Sequence, residues 1–202
     1  MKRRLLIAVW AMAALVTQGL APETGWAGKT GTITGKVESK KKKFRKNTVI
    51  YVEKADGKFK PPKKPVVMDQ KDSKFKPKVL VVVKGTTVEY LNADPTEHSV
   101  YSPDGKKFDL GKWGLGKSKS HKYEDLGAFT QLCKLHPMML AYVIVVQNPY
   151  YDKTNKKGEF KIKDVPPGKY TLRTWNERRK ADAVEVEVKA DEETTANIAL
   201  HR

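Results

Sequence analysis

Past residue 27 the chain is written almost entirely in short hydrophobic segments of strand length. "TITGKV" alternates, with Ile33, Gly35 and Val37 on one face, and "NTVIYVE" is a β-branched run that ends in charge. Between Lys54 and Lys64 the composition shifts to Lys, Gly and Pro in "KADGKFKPPKK", the signature of a linker. "VVMDQ" opens a second block. "KVLVVV" and "TTVEYLN" follow, separated by Lys84 and Gly85, which predicts a hairpin. After a loop rich in Gly and Lys come "AFTQLC" and "AYVIVVQ". The last third, "GEFKIKDVPPGKYTLRTW", reads as two alternating strands paired around Pro166, Pro167 and Gly168. "VEVEV" then puts its valines on one face, and "TTANIAL" can close a sheet. No segment carries the 3.6-residue period of a long amphipathic helix, so the fold class is all-β.

The middle block is long enough for a small sandwich or barrel. The C-terminal strands amount to only half of one. Their motifs, Gly158-Glu-Phe160, the Pro166-Pro167-Gly168 turn and Tyr170-Thr-Leu172, resemble the later part of the transthyretin-like or carboxypeptidase-regulatory-type β-sandwich family. The opening of that pattern is matched by Gly35-Lys-Val37 and "NTVIYVE", which lie before the middle block. Residues 28–60 and 148–202 are therefore expected to form one discontinuous sandwich, with 61–147 inserted at a loop where its ends lie close. Three consecutive pieces, the first lending an edge strand to the middle sheet, is the alternative.

"MKRRLLIAVWAMAALV" gives a basic start and an apolar run of about a dozen residues, short for a bilayer span and typical of an export signal. Small residues at Gly25 and Ala27 place cleavage after Ala27; an uncleaved anchor is the alternative. The expected location is the periplasm. With a formal net charge of +17, the protein should attract anionic partners in a salt-dependent way. No helix-turn-helix, zinc-finger or single-strand aromatic pattern points to nucleic acid. An acidic redox protein or an anionic envelope surface fits better. The Lys40 to Lys43 run reads as a solvated hairpin tip.

Export makes the single cysteine informative, because exported proteins use cysteines in pairs as disulfides. It stands in "CKLHPMM", Cys133 to Met139, with His136, Met138 and Met139. Alternation in "AFTQLC" puts Phe129, Gln131 and Cys133 on one side, and Pro137 helps to turn the chain back. His98 follows "TTVEYLN" on a different loop. Two imidazoles, one thiolate and a weak sulfur ligand suit a blue copper site. Zinc also accepts Cys and two His. The bland alternative is that Cys and Met merely fill a core. Val88, Tyr90 and Asn92 share a face, so Asn92 is a buried amide in need of partners, suited to tie the loop of His98 to that of Cys133 beside the thiolate.

Residues from about Val66 to Gln147 resemble a cupredoxin, and the short CxxHxxM loop is most similar to amicyanin. The likeness rests on the Lys-Gly turn, the Asn six residues before the first His, the strand leading to Cys133, and the hydrophobic strand after Met139. It implies a cupredoxin-like Greek-key sandwich plus a second, smaller β-sandwich. It implies one mononuclear type 1 copper held by His98, Cys133, His136 and Met139, with Asn92 in support. His136, with Leu135, Pro137 and Met138 around it, would be the electron port. The spacing favours Met139 over Met138 as the axial ligand. The resemblance implies a periplasmic carrier of single electrons, its partner a cytochrome or dehydrogenase with an acidic surface; copper storage or delivery is the alternative. Paired His-x-His ligands and a second cysteine are lacking, so an enzyme is not expected. His121 and His201 read as solvated, Trp113 and Trp175 as packing residues.

Overall fold

The computed structural model describes residues 28–202, and the segment read as an export signal, 1–27, lies outside the described residues. In chain order the strands begin with β1 (Gly31–Glu38), β2 (Val49–Val52), β3 (Val66–Gln70), β4 (Phe75–Lys76), β5 (Val79–Val83) and β6 (Thr87–Asn92). Next come β7 (His98–Ser102), β8 (Phe108–Trp113), β9 (Ser118–Lys122), β10 (Gly127–Leu132) and β11 (Leu140–Val146). The last are β12 (Tyr151–Lys153), β13 (Glu159–Val165), β14 (Gly168–Trp175), β15 (Val184–Val188), β16 (Glu193–Thr195) and β17 (Ile198–Ala199). Among the described residues the helical structure is one 3-10 turn, Lys42–Phe44. The fold is all-β.

Four sheets result. Two of them mix the ends of the chain: β13-β1-β16, with β17 also on β1, and β12-β2-β14-β15. Between them lies a core that includes Ile33, Val37, Ile50, Val52, Phe160, Ile162, Leu172 and Val188. The other two, β4-β3-β6-β9 and β5-β11-β10-β7-β8, use only the middle of the chain. They enclose Met68, Val82, Tyr90, Val100, Phe129, Ala141 and Val143, together with Cys133 and Met139. At the centre of this core the Tyr90 hydroxyl donates to Gln131 Oε1 at 2.7 Å and shares a 2.6 Å bond with the Tyr123 hydroxyl, which satisfies polar groups that burial would otherwise penalise.

Three connections differ from the sequence expectation in the same way. The Lys84–Gly85 turn is not a hairpin: β5 lies beside β11, while β6 pairs with β3 and β9 in the facing sheet. Gly85, at φ +87, takes the left-handed conformation that lets the chain turn this corner. The two strands sit differently because β5 is apolar on both faces. Leu80 and Val82 enter the middle core, while Val79 and Val81 join a third cluster with Val49, Ile144, Val146, Tyr142 and Trp175. A strand buried on both sides reads as a continuous run and pairs in parallel, here with the equally continuous β11.

The Pro166-Pro167-Gly168 turn likewise joins β13, paired with β1, to β14, paired with β2 and β15. Two consecutive prolines offer no N–H to a ladder, so the pairing breaks there. The Lys40–Lys43 run is a corner as well, carried by the 3-10 turn between two sheets. The Lys- and Gly-rich stretch after His98, read as a loop, contains β7, β8 and β9.

Candidate metal centre

Alternation brings the side chains to the site. Val88, Tyr90 and Asn92 are all fully buried on β6, and Phe129, Gln131 and Cys133 are all buried along β10 and just past it. Cys133 thus enters the middle core from the end of β10. His98 opens β7, fully buried, and His136 sits half-buried in the turn before β11. The turn is closed by the Met139 N–H donating to the His136 carbonyl at 2.9 Å.

One ligand atom from each of His98, Cys133 and His136 lies within 4.8 Å of the others. The two Nδ1 atoms are 3.0 Å apart, and Cys133 Sγ is 3.8 Å from His136 Nδ1. On the far side of its ring, His98 Nε2 is 2.8 Å from Asp94 Oδ2. An ionised carboxylate only accepts, so Nε2 carries the proton and Nδ1 turns its lone pair toward Cys133 and His136. The Ser73 N–H is the largest of the influences that hold the Asp94 carboxyl down at about 2. Partial burial opposes it, while His98 and the Asp72 N–H reinforce it. Asp94 is a positioning residue that the sequence reading missed; its place four residues before His98, in "ADPTEH", was the available sign.

Met139 is 1% exposed and packs in the cluster that holds Cys133, whereas Met138 is 93% exposed. The structure separates the two methionines: one faces the donors' core, the other the solvent. Leu135, Pro137 and Met138 are exposed around His136.

Asn92 does not reach the Cys133 loop. Its amide donates to the carbonyls of Thr96 and Trp113 at 2.8 and 2.9 Å and accepts from the Asp94 N–H at 2.9 Å, so it braces the loop carrying Asp94 and His98. The strap expected of it is supplied by Ser99. The Ser99 N–H and hydroxyl point at Cys133 Sγ, at 3.4 and 3.7 Å, and its Oγ accepts from the Lys134 N–H at 2.8 Å. Ser99 is next to a ligand candidate, but an isolated serine carries no periodic signal. His121, expected in solvent, stacks on Phe108 with ring centroids 3.8 Å apart.

The donor set fits a soft or borderline ion: two imidazole nitrogens, a sulfur already receiving hydrogen bonds, and a buried thioether residue behind it. His98, Cys133 and His136 are thus compatible with copper.

A family profile described as "Polysaccharide lyase family 4, domain II" matches residues 138–196, which belong mostly to the outer sheets. No curated protein sequence matches the chain. Solved structures similar to it include a Cu-containing nitrite reductase from Thermus scotoductus SA-01, 27% identical, TM-score 0.40, over 46% of this chain and 25% of the reductase. The chain therefore spans about a quarter of the reductase's length. A reduced amicyanin variant is 22% identical, TM-score 0.39, over 49% of this chain and 98% of its own. A purple cupredoxin from Nitrosopumilus maritimus is 29% identical, TM-score 0.34, over 37% of this chain and 84% of its own. The chain's own architecture has two facing sheets of mixed parallel and antiparallel strands, one histidine following β6, and a Cys…His…Met turn between β10 and β11. The middle unit is a cupredoxin-like sandwich, and an additional β-sandwich is attached to it.

Proposed function

We propose that the protein is a type 1 copper carrier of single electrons, exported to the periplasm, and not an enzyme. The observation that carries this reading is the convergence of His98, Cys133 and His136 within 4.8 Å, two of them buried and Met139 buried with them. His98, Cys133, His136 and Met139 would hold a copper ion, which would supply one-electron chemistry between Cu(II) and Cu(I). The protein's part is to keep the donors in place. Asp94 fixes the His98 ring, Ser99 ties the His98 strand to the Cys133 turn, and the Ser99 N–H bonds the sulfur. A donor set that cannot relax when the charge changes keeps the reorganisation small and the electron exchange fast.

His136 is the ligand nearest solvent, with Leu135, Pro137 and Met138 exposed beside it, and we take this surface as the port facing a redox protein with an acidic surface. Residues 28–60 and 148–202 are read as one discontinuous module carrying the copper module, 61–147, as an insertion, and residues 1–27 as a removed signal. The test is a visible spectrum of the copper-loaded protein with voltammetry. An intense thiolate-to-Cu(II) band and a reversible couple are expected, both lost in Cys133→Ser. A colourless Cu(II) form, or metal released on each reduction, overturns the carrier reading in favour of copper storage or delivery.

A further inference from the structure

The basic surplus is not where the electron port alone would put it. Beside the ligand turn the charges are matched: Lys134 pairs with Asp109, and Lys112 with Glu97 at 2.9 Å. The densest run of unmatched charge sits on the outer sandwich. Residues 39–48, between β1 and β2, hold five lysines, Arg45 and no acid; residues 178–180, after β14, add Arg178, Arg179 and Lys180. These two segments are one surface. Asn176 Nδ2 donates to the Phe44 carbonyl at 2.9 Å and to Thr48 Oγ1 at 2.7 Å, and the Arg179 guanidinium lies 4.2 Å from the centre of the Phe44 ring. Among the described residues Lys40, Lys41, Lys42, Lys43, Lys46, Arg179 and Lys180 have no carboxylate within 4.0 Å. The acid lying among them, Glu177, is engaged by Lys78 at 2.8 Å.

Topology puts this surface at the ligand end of the molecule. β11 starts directly after Met139; its Tyr142 N–H donates to the Lys78 carbonyl at 2.9 Å, and its Tyr142 ring packs on Trp175 at 4.9 Å. Trp175 is opposite Val49 in the β14–β2 ladder, so the segment leaving β14 and the segment entering β2 both project at the end where β11 begins. A cavity of about 150 Å³ lined by Lys43, Lys46, Lys78 and Asn176 lies in the seam between the two sandwiches.

We propose that the Lys40–Lys46 and Arg178–Lys180 segments of the outer sandwich form a cationic docking platform for an acidic electron-transfer protein, holding it against the exposed Leu135–Met138 surface. The inference rests on the electron-carrier reading and gives the outer sandwich its role: charge on one module steers and orients a partner whose electron passes through the other. A protein fits this surface better than a lipid surface does. The aromatic residue of the platform, Phe44, is half-buried under Arg179 with Lys43 beside it, leaving no apolar side chain there to insert, while Leu135 and Met138 are exposed at the port.

The test compares two variants of equal net charge. One is Lys40→Gln, Lys41→Gln, Lys42→Gln and Lys46→Gln; the other is Lys54→Gln, Lys58→Gln, Lys60→Gln and Lys63→Gln, in the linker at the opposite end. The probe is an acidic c-type cytochrome, with the oxidation rate of the reduced copper protein followed in stopped flow over a range of ionic strength. At low salt the platform variant should react about tenfold more slowly than the parent and lose most of its salt dependence, with the linker variant within about twofold of the parent. Equal losses in both variants, or none in either, overturn the proposal. So does lysine-dependent sedimentation with phosphatidylglycerol vesicles combined with unchanged cytochrome rates. Calorimetric titration of the metal-free protein with the same cytochrome should give about tenfold weaker binding for the platform variant alone. Absence of the visible band in the parent sinks the carrier reading, and the calorimetry then still decides for or against the platform.

Discussion

Ser99 and Asn92 illustrate how two buried polar side chains near the same centre do different work. Asn92, with no exposed surface, satisfies two carbonyls and one N–H. Asn92→Ala strands these groups in the interior and should cost about 3 kcal/mol of stability, read from the urea midpoint. No atom of Asn92 bonds Cys133, so the wavelength of the copper-loaded protein's thiolate band should stay where it was. Ser99→Ala should do the reverse. It costs about 1 kcal/mol, for the Lys134 N–H left without its acceptor. It also withdraws a donor from the sulfur, which becomes more electron-rich and favours Cu(II), so the reduction potential should fall and the band should shift. A potential unchanged in Ser99→Ala, or moved upward, refutes the role assigned to its hydroxyl.

At the scale of strands, the face each residue takes was legible, and the partner of each strand was not. Period two placed Cys133 with Phe129 and Gln131, and Asn92 with Val88 and Tyr90, because a strand's side-chain alternation is a property of the strand alone. Pairing depends on what lies across the gap. At Lys84–Gly85 and at Pro166-Pro167-Gly168 a tight turn follows one strand and precedes another, which is the local signature of a hairpin and equally of a corner between facing sheets. β8 and β9 were missed because "FDLGKW" and "SKSHK" are largely exposed strands with little apolar content to mark them. The candidate ligand pair Cys133 and His136 is local and readable; Ser99 and Asp94 act through contacts that only the assembled loops create. Gly35 shows the same limit. A Cβ there would come 1.7 Å from the Ala196 carbonyl oxygen, where the chain steps from β16 to β17 across β1. Backbone cannot yield as a side-chain tip can, so Gly35→Ala should destabilise the outer sandwich by about 3 kcal/mol or more in urea unfolding.

For the molecule as a whole, the question is whether two sandwiches behave as one body. β5 is the edge of the five-stranded sheet and β12 the edge of an outer one, and each would otherwise present an open row of polar backbone. They cover each other. The Tyr151 hydroxyl donates to the Val81 carbonyl at 3.2 Å and Lys153 Nζ to the Val79 carbonyl at 2.9 Å. Burial raises the Tyr151 pKa and lowers that of Lys153, as expected for groups drawn into the seam. Beneath them Val49, Val79, Ile144 and Val146 form a cluster in which each residue is at most 3% exposed. Since Ile144 and Val146 lie on the strand that follows Met139, the seam and the candidate ligand turn are joined directly through β11. Ile144→Ala removes three carbons from the seam but leaves the opposite face of β11, with Ala141, Val143 and Val145, in the middle core. The loss of about 3 kcal/mol should fall on the coupling between the units. The parent should then unfold in urea as a single transition in which tryptophan fluorescence and the visible copper band change together, and Ile144→Ala should separate them, with the two probes reporting different midpoints. Coincident midpoints in the variant would mean that the sandwiches are held together by something other than this seam.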